Sequence, residues 1–202
     1  MKLYDDKIAP NPRRVRVFLA EKGIQVPTEQ VTIIKMEHKN PEILKKSPFA
    51  LLPILELDDG TCITESVAIC RYFEEIQPEP PLMGTDPEGK AKVEMWQRLV
   101  ELQLFTTLGH GFRHTAPQMA PLEDQVPEWG EKNKAKAMQR FDWLDSVLAD
   151  RPYVAGERYS IADITALCAV DFAKWSKIAV QPHHKNLQHW YEQVSSRPSA
   201  KA

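Results

Sequence analysis

The 202-residue sequence predicts an α/β unit with element order βαβαββα, followed by an all-helical unit. Three observations predict this. Leu51 to Glu75 has the pattern strand, turn, strand, helix. A proline-rich break follows at residues 78–87, and such clusters of turn formers end regular structure. Beyond the break, long helical stretches carry all five tryptophans, from Trp96 to Trp190. The expected organisation is therefore 1–77 for the first unit, 78–87 for the linker and 88–202 for the helical unit.

Met1 to Tyr4 is expected to form the first strand. Ala9-Pro10-Asn11-Pro12 then leads into a helix carrying Val15, Phe18 and Leu19 and ending near Gly23. Asn11 suits its N-cap and Pro12 its first helical position, because a capping side chain fills an orphan N–H and proline has none to lose. Val31 to Ile34 is expected as the second strand, and Asn40 to Lys46 as a short helix or little more than a turn.

Pro53 should open the next strand, since proline cannot donate within a sheet interior. Asp58-Asp59-Gly60 turns the chain, and Thr61 to Ile63 returns as a short strand. Glu65-Ser66 starts a helix with Ser66 as N-cap and with Val67, Cys70, Phe73 and Ile76 on one face. In the second unit, helices are expected over about Glu88–Arg113, Glu128–Asp150, a stretch after Ser160, and Lys185–Ser195. Pro117, Pro121 and Pro127 punctuate the first long connection. Ser160-Ile161-Ala162-Asp163 is a capping-box variant with a structural role, and Tyr159 and Ile164 are placed to staple it.

The net charge of -2 is spread along the chain. Neither half is basic enough to point to nucleic acid. No apolar stretch has the length of a membrane span and the N-terminus carries no signal-peptide pattern. Cys62, Cys70 and Cys168 are odd in number and lack metal-ligand spacing, which suits a reducing compartment. A cytoplasmic protein is expected. His183-His184 are adjacent rather than spaced i, i+4, so no metal is expected there.

Pro53 at the head of the hairpin, Glu65-Ser66 at the helix start and Ser160 to Asp163 occur at the relative spacing of glutathione transferases, and the chain resembles that family over nearly its whole length. It is most similar to the atypical yeast-type members and their bacterial relatives, through the APNPRRVR opening, the EHKNPEIL segment and the His114-Thr115-Ala116-Pro117 segment. The resemblance implies a thioredoxin-like first domain, glutathione as co-substrate and a homodimer. It implies that Pro53 is cis, that the Leu52 backbone pairs with the cysteinyl part of glutathione, and that Glu65 and Ser66 hold the γ-glutamyl end. Lys39, beside His38, is expected at the glycyl carboxylate.

The first loop departs from the family pattern. It offers no Tyr, Ser or Cys to the sulfur, and Tyr4 lies earlier, in the strand. Lowering a thiol pKa of about 8.5 by about two units requires about 2.7 kcal/mol in favour of the thiolate. The first helix, Asn11 and the positive potential of Arg13, Arg14 or Arg16 are one source, although these arginines also suit a solvated face. His114, with His110 as its alternative, is the residue carried over as a base acting directly or through water, against a plain packing role for either. Phe105, Phe112 and Met119 are candidates to line the second substrate's site, and the Met95, Trp96, Leu99, Leu102 stripe suits core or dimer surface. The expected activity is conjugation of glutathione to an electrophilic, partly apolar small molecule. The alternative is a non-enzymatic regulator or ligand-binding protein of the same fold.

Overall fold

The computed structural model describes all 202 residues. They form two compact units, Met1–Leu82 with Lys201–Ala202, and Met83–Ala200. In the first, β1 (Lys2–Asp5), α1 (Pro10–Lys22), β2 (Thr28–Gln30), α2 (Pro41–Lys46), β3 (Ile54–Glu56), β4 (Cys62–Ile63) and α3 (Ser66–Ile76) follow in the βαβαββα order. The four-stranded sheet runs β2-β1-β3-β4. Its first pair is parallel, with Leu3 opposite Thr28, and the other two are antiparallel, with Tyr4 opposite Ile54 and Leu55 opposite Ile63. This is the thioredoxin-like arrangement.

The second strand corrects the expectation. It is the polar Thr28–Gln30, exposed throughout, rather than Val31–Ile34. Val31 is instead buried with Tyr4, Ile43, Leu52 and Ile54, and Ile33–Lys35 turns as a 3₁₀ helix. The apolar run packs as a loop because Asp6 takes the Ile33 N–H at 2.8 Å and the Asp5 carbonyl takes that of Val31 at 2.7 Å.

Two further caps differ. α1 begins at Pro10 with Ala9 as N-cap, so Asn11 lies within the first turn. α3 begins at Ser66 with Glu65 as N-cap and without any capping side-chain bond. Gly23 ends α1 in the left-handed conformation, at φ 67°, which costs glycine least.

α1 packs against α3 through matched positions one helical turn apart. Arg14, Phe18 and Lys22 on α1 are all buried, as are Ser66, Cys70 and Glu74 on α3. At one end Arg14 donates to the Ser66 hydroxyl at 2.9 Å. At the other, the Lys22 ammonium meets Glu74 at 2.6 Å and the carbonyls of Gln77, Pro78 and Pro80 at 2.7, 3.2 and 2.8 Å. A buried ammonium is tolerable only with such saturation of its donors.

The second unit contains α4 (Pro87–Leu99), α5 (Thr106–Thr115), α6 (Pro127–Val147), α7 (Ile161–Ala173) and α8 (Lys185–Ser195). Between α4 and α5 the backbone stays helical but widens to a π segment, Val100–Phe105. α7 is buried along nearly its whole length and opens with the expected capping box. Asp163 accepts from the N–H groups of Val154 and Ser160 at 2.9 and 3.0 Å, from the Ser160 hydroxyl at 3.2 Å and from the Trp190 indole at 2.9 Å. Burial pushes its carboxyl up to about 6, against the pull of those four donors. No helix is long and apolar enough to cross a membrane.

Candidate functional site

In the first unit, unpaired polar groups gather at the residues flanking the hairpin and α3. The Leu52–Pro53 peptide is cis. Leu52 is only 7% exposed, yet it lies just before the β3 ladder and its N–H and carbonyl join no backbone hydrogen bond. An N–H and a carbonyl left without backbone partners beside a strand are the groups that an extended peptide can pair with.

Glu65 has φ 64° and ψ 114°, a conformation costly for a residue with a side chain and concentrated at ligand clamps. It leaves the carboxylate exposed at the start of α3. Ser66 is 95% buried, its relative exposure being 5%. Its hydroxyl accepts from Arg14, and no acceptor within the protein takes its own proton. The amides at this helix end add positive potential for an anion.

The loop before α1 is braced from both sides. Asp6 accepts from Ile8 N–H at 2.9 Å and from Ile33 N–H. Arg16 pairs with Asp5 at 2.6 Å and donates to the carbonyls of Asp6 and Lys7 at 3.3 and 3.0 Å. Because α1 starts Pro10-Asn11-Pro12, two of its first three residues carry no N–H, and that of Arg13 bonds to the Ala9 carbonyl. Asn11 thus supplies the one backbone donor of that turn, together with an exposed amide side chain. Lys39 is exposed and makes no ion pair, while His38 beside it is buried.

Tyr4 is committed elsewhere. Its hydroxyl donates to Glu56 at 2.6 Å, which also pairs with Lys46 at 2.6 Å. Burial, then the Glu56 hydrogen bond, hold the phenol above its ordinary pKa, so it stays a neutral structural donor.

His114 lies on α5 in the second unit, and its Nδ1 accepts the Val126 N–H at 3.1 Å. A neutral imidazole so engaged keeps its proton on Nε2 and has no free lone pair. His110, one turn earlier, packs edge-on to His114 and at a tilt to Trp129, with ring centroids 6.3 and 6.1 Å away. Phe105 and Phe112 pack edge-on to Phe172 at 6.2 and 5.2 Å, and Met119 is buried. In the stripe on α4, Trp96 stacks on Trp143 with Arg151 over its ring, whereas Met95 and Leu102 are exposed.

Asp142 joins His183 and His184, a grouping the adjacent histidines alone do not reveal. Its Oδ1 lies 3.2 and 2.8 Å from their Nε2 atoms. His184 Nδ1 accepts the Gln181 N–H at 3.0 Å, so the buried ring carries its proton at Nε2 and donates it to Asp142. Metal ligation through that nitrogen would require the proton to leave and the Gln181 N–H to lose its acceptor. The cluster therefore works as a clasp between α6 and the loop before α8.

A thioredoxin-like domain with an open polar rim, followed by a helical domain, defines the class to which the chain can be compared. Residues 8–76 match the glutathione S-transferase N-terminal domain and residues 112–198 the glutathione S-transferase C-terminal domain. Glutathione S-transferase 2 of Saccharomyces cerevisiae is 38% identical, over 100% of this chain and 88% of the relative. The crystal structure of Gtt2 from the same yeast superposes with a TM-score of 0.95 at 38% identity, covering 100% of this chain and 99% of that one. A class Gtt2 transferase of Vibrio parahaemolyticus gives 0.88 at 35% identity, covering 100% and 96%. The chain belongs to the glutathione S-transferase family and is a transferase of that type.

Proposed function

We propose that this transferase binds glutathione along β3 and the start of α3, and conjugates its thiolate to an electrophilic, partly apolar small molecule. The observation that carries the reading is the backbone of Leu52, whose N–H and carbonyl join no backbone hydrogen bond. A peptide ligand laid beside it gains two hydrogen bonds that the protein has left unmade. Ser66 and the α3 amides suit the γ-glutamyl carboxylate, Glu65 suits its ammonium, and the free Lys39 ammonium suits the glycyl carboxylate. In chemical terms the conjugation forms a C–S bond, and any leaving group departs with the electron pair displaced from carbon.

Thiol activation is assigned to the α1 end. Asn11 offers a backbone N–H and an amide N–H there, and the helix dipole adds positive potential. His114, whose lone pair is spent on Val126, is a weaker candidate than it is on sequence grounds. A cytoplasmic, homodimeric detoxification enzyme remains the proposed setting. Exposed apolar knobs support the dimer: Phe49 is 85% exposed in the first unit, and Met95 and Leu102 are about half exposed in the second.

Retention on immobilised glutathione, followed by ultraviolet titration of the bound thiolate, tests the reading. The expected result is retention with the thiol titrating well below about 8.5. Retention without any shift supports a ligand-binding protein instead. A chain that passes through unretained refutes both. Replacing Phe49 by Ala should move the hydrodynamic mass toward a monomer if the dimer assignment is right.

A further inference from the structure

We propose that Asp6 is a positioning residue that couples the glycyl end of the glutathione site to its thiol end. The inference rests on the glutathione reading above and extends it to a carboxylate to which that reading gives no role.

β1 and β2 stop pairing at Asp5 and Gln30, and the Val31 N–H bonds to the Asp5 carbonyl at 2.7 Å. The Asp6 side chain carries the connection past the sheet. It is 4% exposed, with Oδ1 accepting the Ile8 N–H at 2.9 Å and Oδ2 the Ile33 N–H at 2.8 Å. An ionised carboxylate is planar and only accepts, so each oxygen can serve a different loop. Both oxygens belong to one rigid group, and a displacement of either loop is passed to the other.

On the thiol side the connection is short. The Asp6 carbonyl accepts the N–H of Ala9, the N-cap of α1, at 3.1 Å, and the Ala9 carbonyl accepts that of Arg13 at 3.2 Å. The turn that presents Asn11 thus hangs from Asp6. On the glycyl side, Glu37 takes the Thr32 N–H at 2.6 Å, and the Thr32 carbonyl takes the Glu37 N–H at 3.2 Å. Met36, inside this closed loop, has φ 64°, and its carbonyl accepts the Lys39 N–H at 3.0 Å. Such strained backbone persists where the surrounding bonds over-determine it. Lys39 is held by a ring of bonds that leads back to Ile33 and Asp6. The neighbouring Asp5 is committed to Arg16 at 2.6 Å, so two successive acids brace different elements.

Charge and position act on the sulfur in opposite directions. Asp5 and Asp6 place negative charge near the α1 end, opposed by Arg16 on α1 and Lys7 on the loop, with Lys35 and Glu37 on the glycyl side. Removing the Asp6 charge alone would lower the thiol midpoint. Losing the alignment of the turn would raise it, because the donors at the helix end would no longer point at the sulfur.

The experiment titrates the bound thiol by ultraviolet absorbance in wild type and D6N, at saturating glutathione or γ-glutamylcysteine, which lacks the glycyl residue. Each midpoint is taken relative to the same thiol free in solution. Wild type should lower the glutathione midpoint further than the γ-glutamylcysteine midpoint, by about half a pH unit or more, the size of an ordinary coupling between linked groups. In D6N the amide keeps one acceptor and turns an NH₂ toward the other N–H. The glutathione midpoint should rise, and the shifts of the two ligands should become equal. A purely structural loss would lower stability and leave both midpoints in place.

A D6N midpoint at or below that of wild type would overturn the proposal, since charge removal without misalignment gives that result. Equal shifts for the two ligands in wild type would overturn it as well, whether or not D6N folds. A wild type that binds neither ligand overturns the glutathione reading, and one that binds both without lowering either thiol overturns the α1 assignment. These are distinct failures that take the proposal with them. Amide exchange in wild type gives a second readout. Glutathione should slow exchange at Ile8 and Ile33 together, and γ-glutamylcysteine should slow both less; slowing at Ile33 alone would also overturn the coupling.

Discussion

α3 and α7 both begin at an acid–serine combination, yet one end is open and the other closed. At α7, Ser160 and Asp163 cap each other's backbone, and Asp163 also takes Val154 N–H and the Trp190 indole. At α3 no side chain caps the helix, Glu65 sits at a positive φ, and the Ser66 hydroxyl keeps its proton free. The residue types are almost the same. What differs is whether the polar groups find partners inside the chain. A saturated helix start contributes to folding, whereas an unsaturated one retains its donors for a ligand.

The strongest way to test that contrast is to break each end separately. Replacing Asp163 by Ala strands three N–H donors and a hydroxyl in the interior and should cost about 4 kcal/mol, at the top of the usual range for a single substitution. Chemical denaturation would measure it, and glutathione affinity of the folded fraction should be unchanged. A loss below about 1 kcal/mol would show that the α7 end is not the structural one. Lys22→Met offers a second closed-end control. It leaves Glu74 and three carbonyls without their cation, and about 3–5 kcal/mol of stability should go with it.

The pH dependence of Asp163 sharpens the comparison. Burial pushes its carboxyl up to about 6 in the folded protein, against 3.8 for a solvated aspartate. The native state thus binds more protons than the unfolded chain between these values. Its contribution to stability is fully present below about pH 4, falls as pH rises through 6, and is lower by about 3 kcal/mol above it. Compared with Asp163→Asn, wild type should lose relative stability over that window. A difference that is flat from pH 4 to 7 would mean that the four donors hold the carboxylate at its ordinary pKa.

How much of this was legible in the sequence depends on the range of the interactions. The α7 box spans four residues and could be identified from its spacing alone, as could the Gly23 stop and the Asp-Gly turn. The second strand is not legible because Thr28-Glu29-Gln30 is short, polar and at a sheet edge, while Val31 and Ile33 look like a strand yet pack as a loop. The caps of α1 and α3 shifted by one or two residues, since Pro10 fits the first helical position and Glu65 adopts a conformation unusual for its type. The elements of the proposed glutathione site are expected from resemblance alone, and the long-range contacts around them are not legible in the sequence. Arg14–Ser66 and Lys22–Glu74 join positions about fifty residues apart, and nothing local distinguishes Arg14 from a solvated arginine.

At the open end, Ser66→Ala should reverse the pattern of Asp163→Ala. Stability should fall by about 1–3 kcal/mol, less than for Asp163→Ala, because no capping bond is lost but the buried Arg14 guanidinium gives up its Ser66 acceptor, while glutathione binding weakens about tenfold. Equilibrium unfolding and binding isotherms on the same preparation would decide it. A large loss of stability with affinity intact would place Ser66 in the same structural class as Ser160.

The smallest effect is expected at His114. Sequence likeness makes it a candidate base, but a base needs a free lone pair. His114 Nδ1 is held by Val126 N–H, so its remaining nitrogen carries the proton whenever the ring is neutral. Protonating the ring breaks that bond rather than recording a transfer from substrate. His114→Ala should therefore leave the midpoint of the pH–rate profile in place, with activity within about twofold of wild type. Asn11→Ala should move the midpoint upward, since it removes the amide donor at the α1 end. If His114→Ala abolishes the alkaline rise in rate and Asn11→Ala does not, the thiol is activated from the helical unit, and the α1 assignment fails.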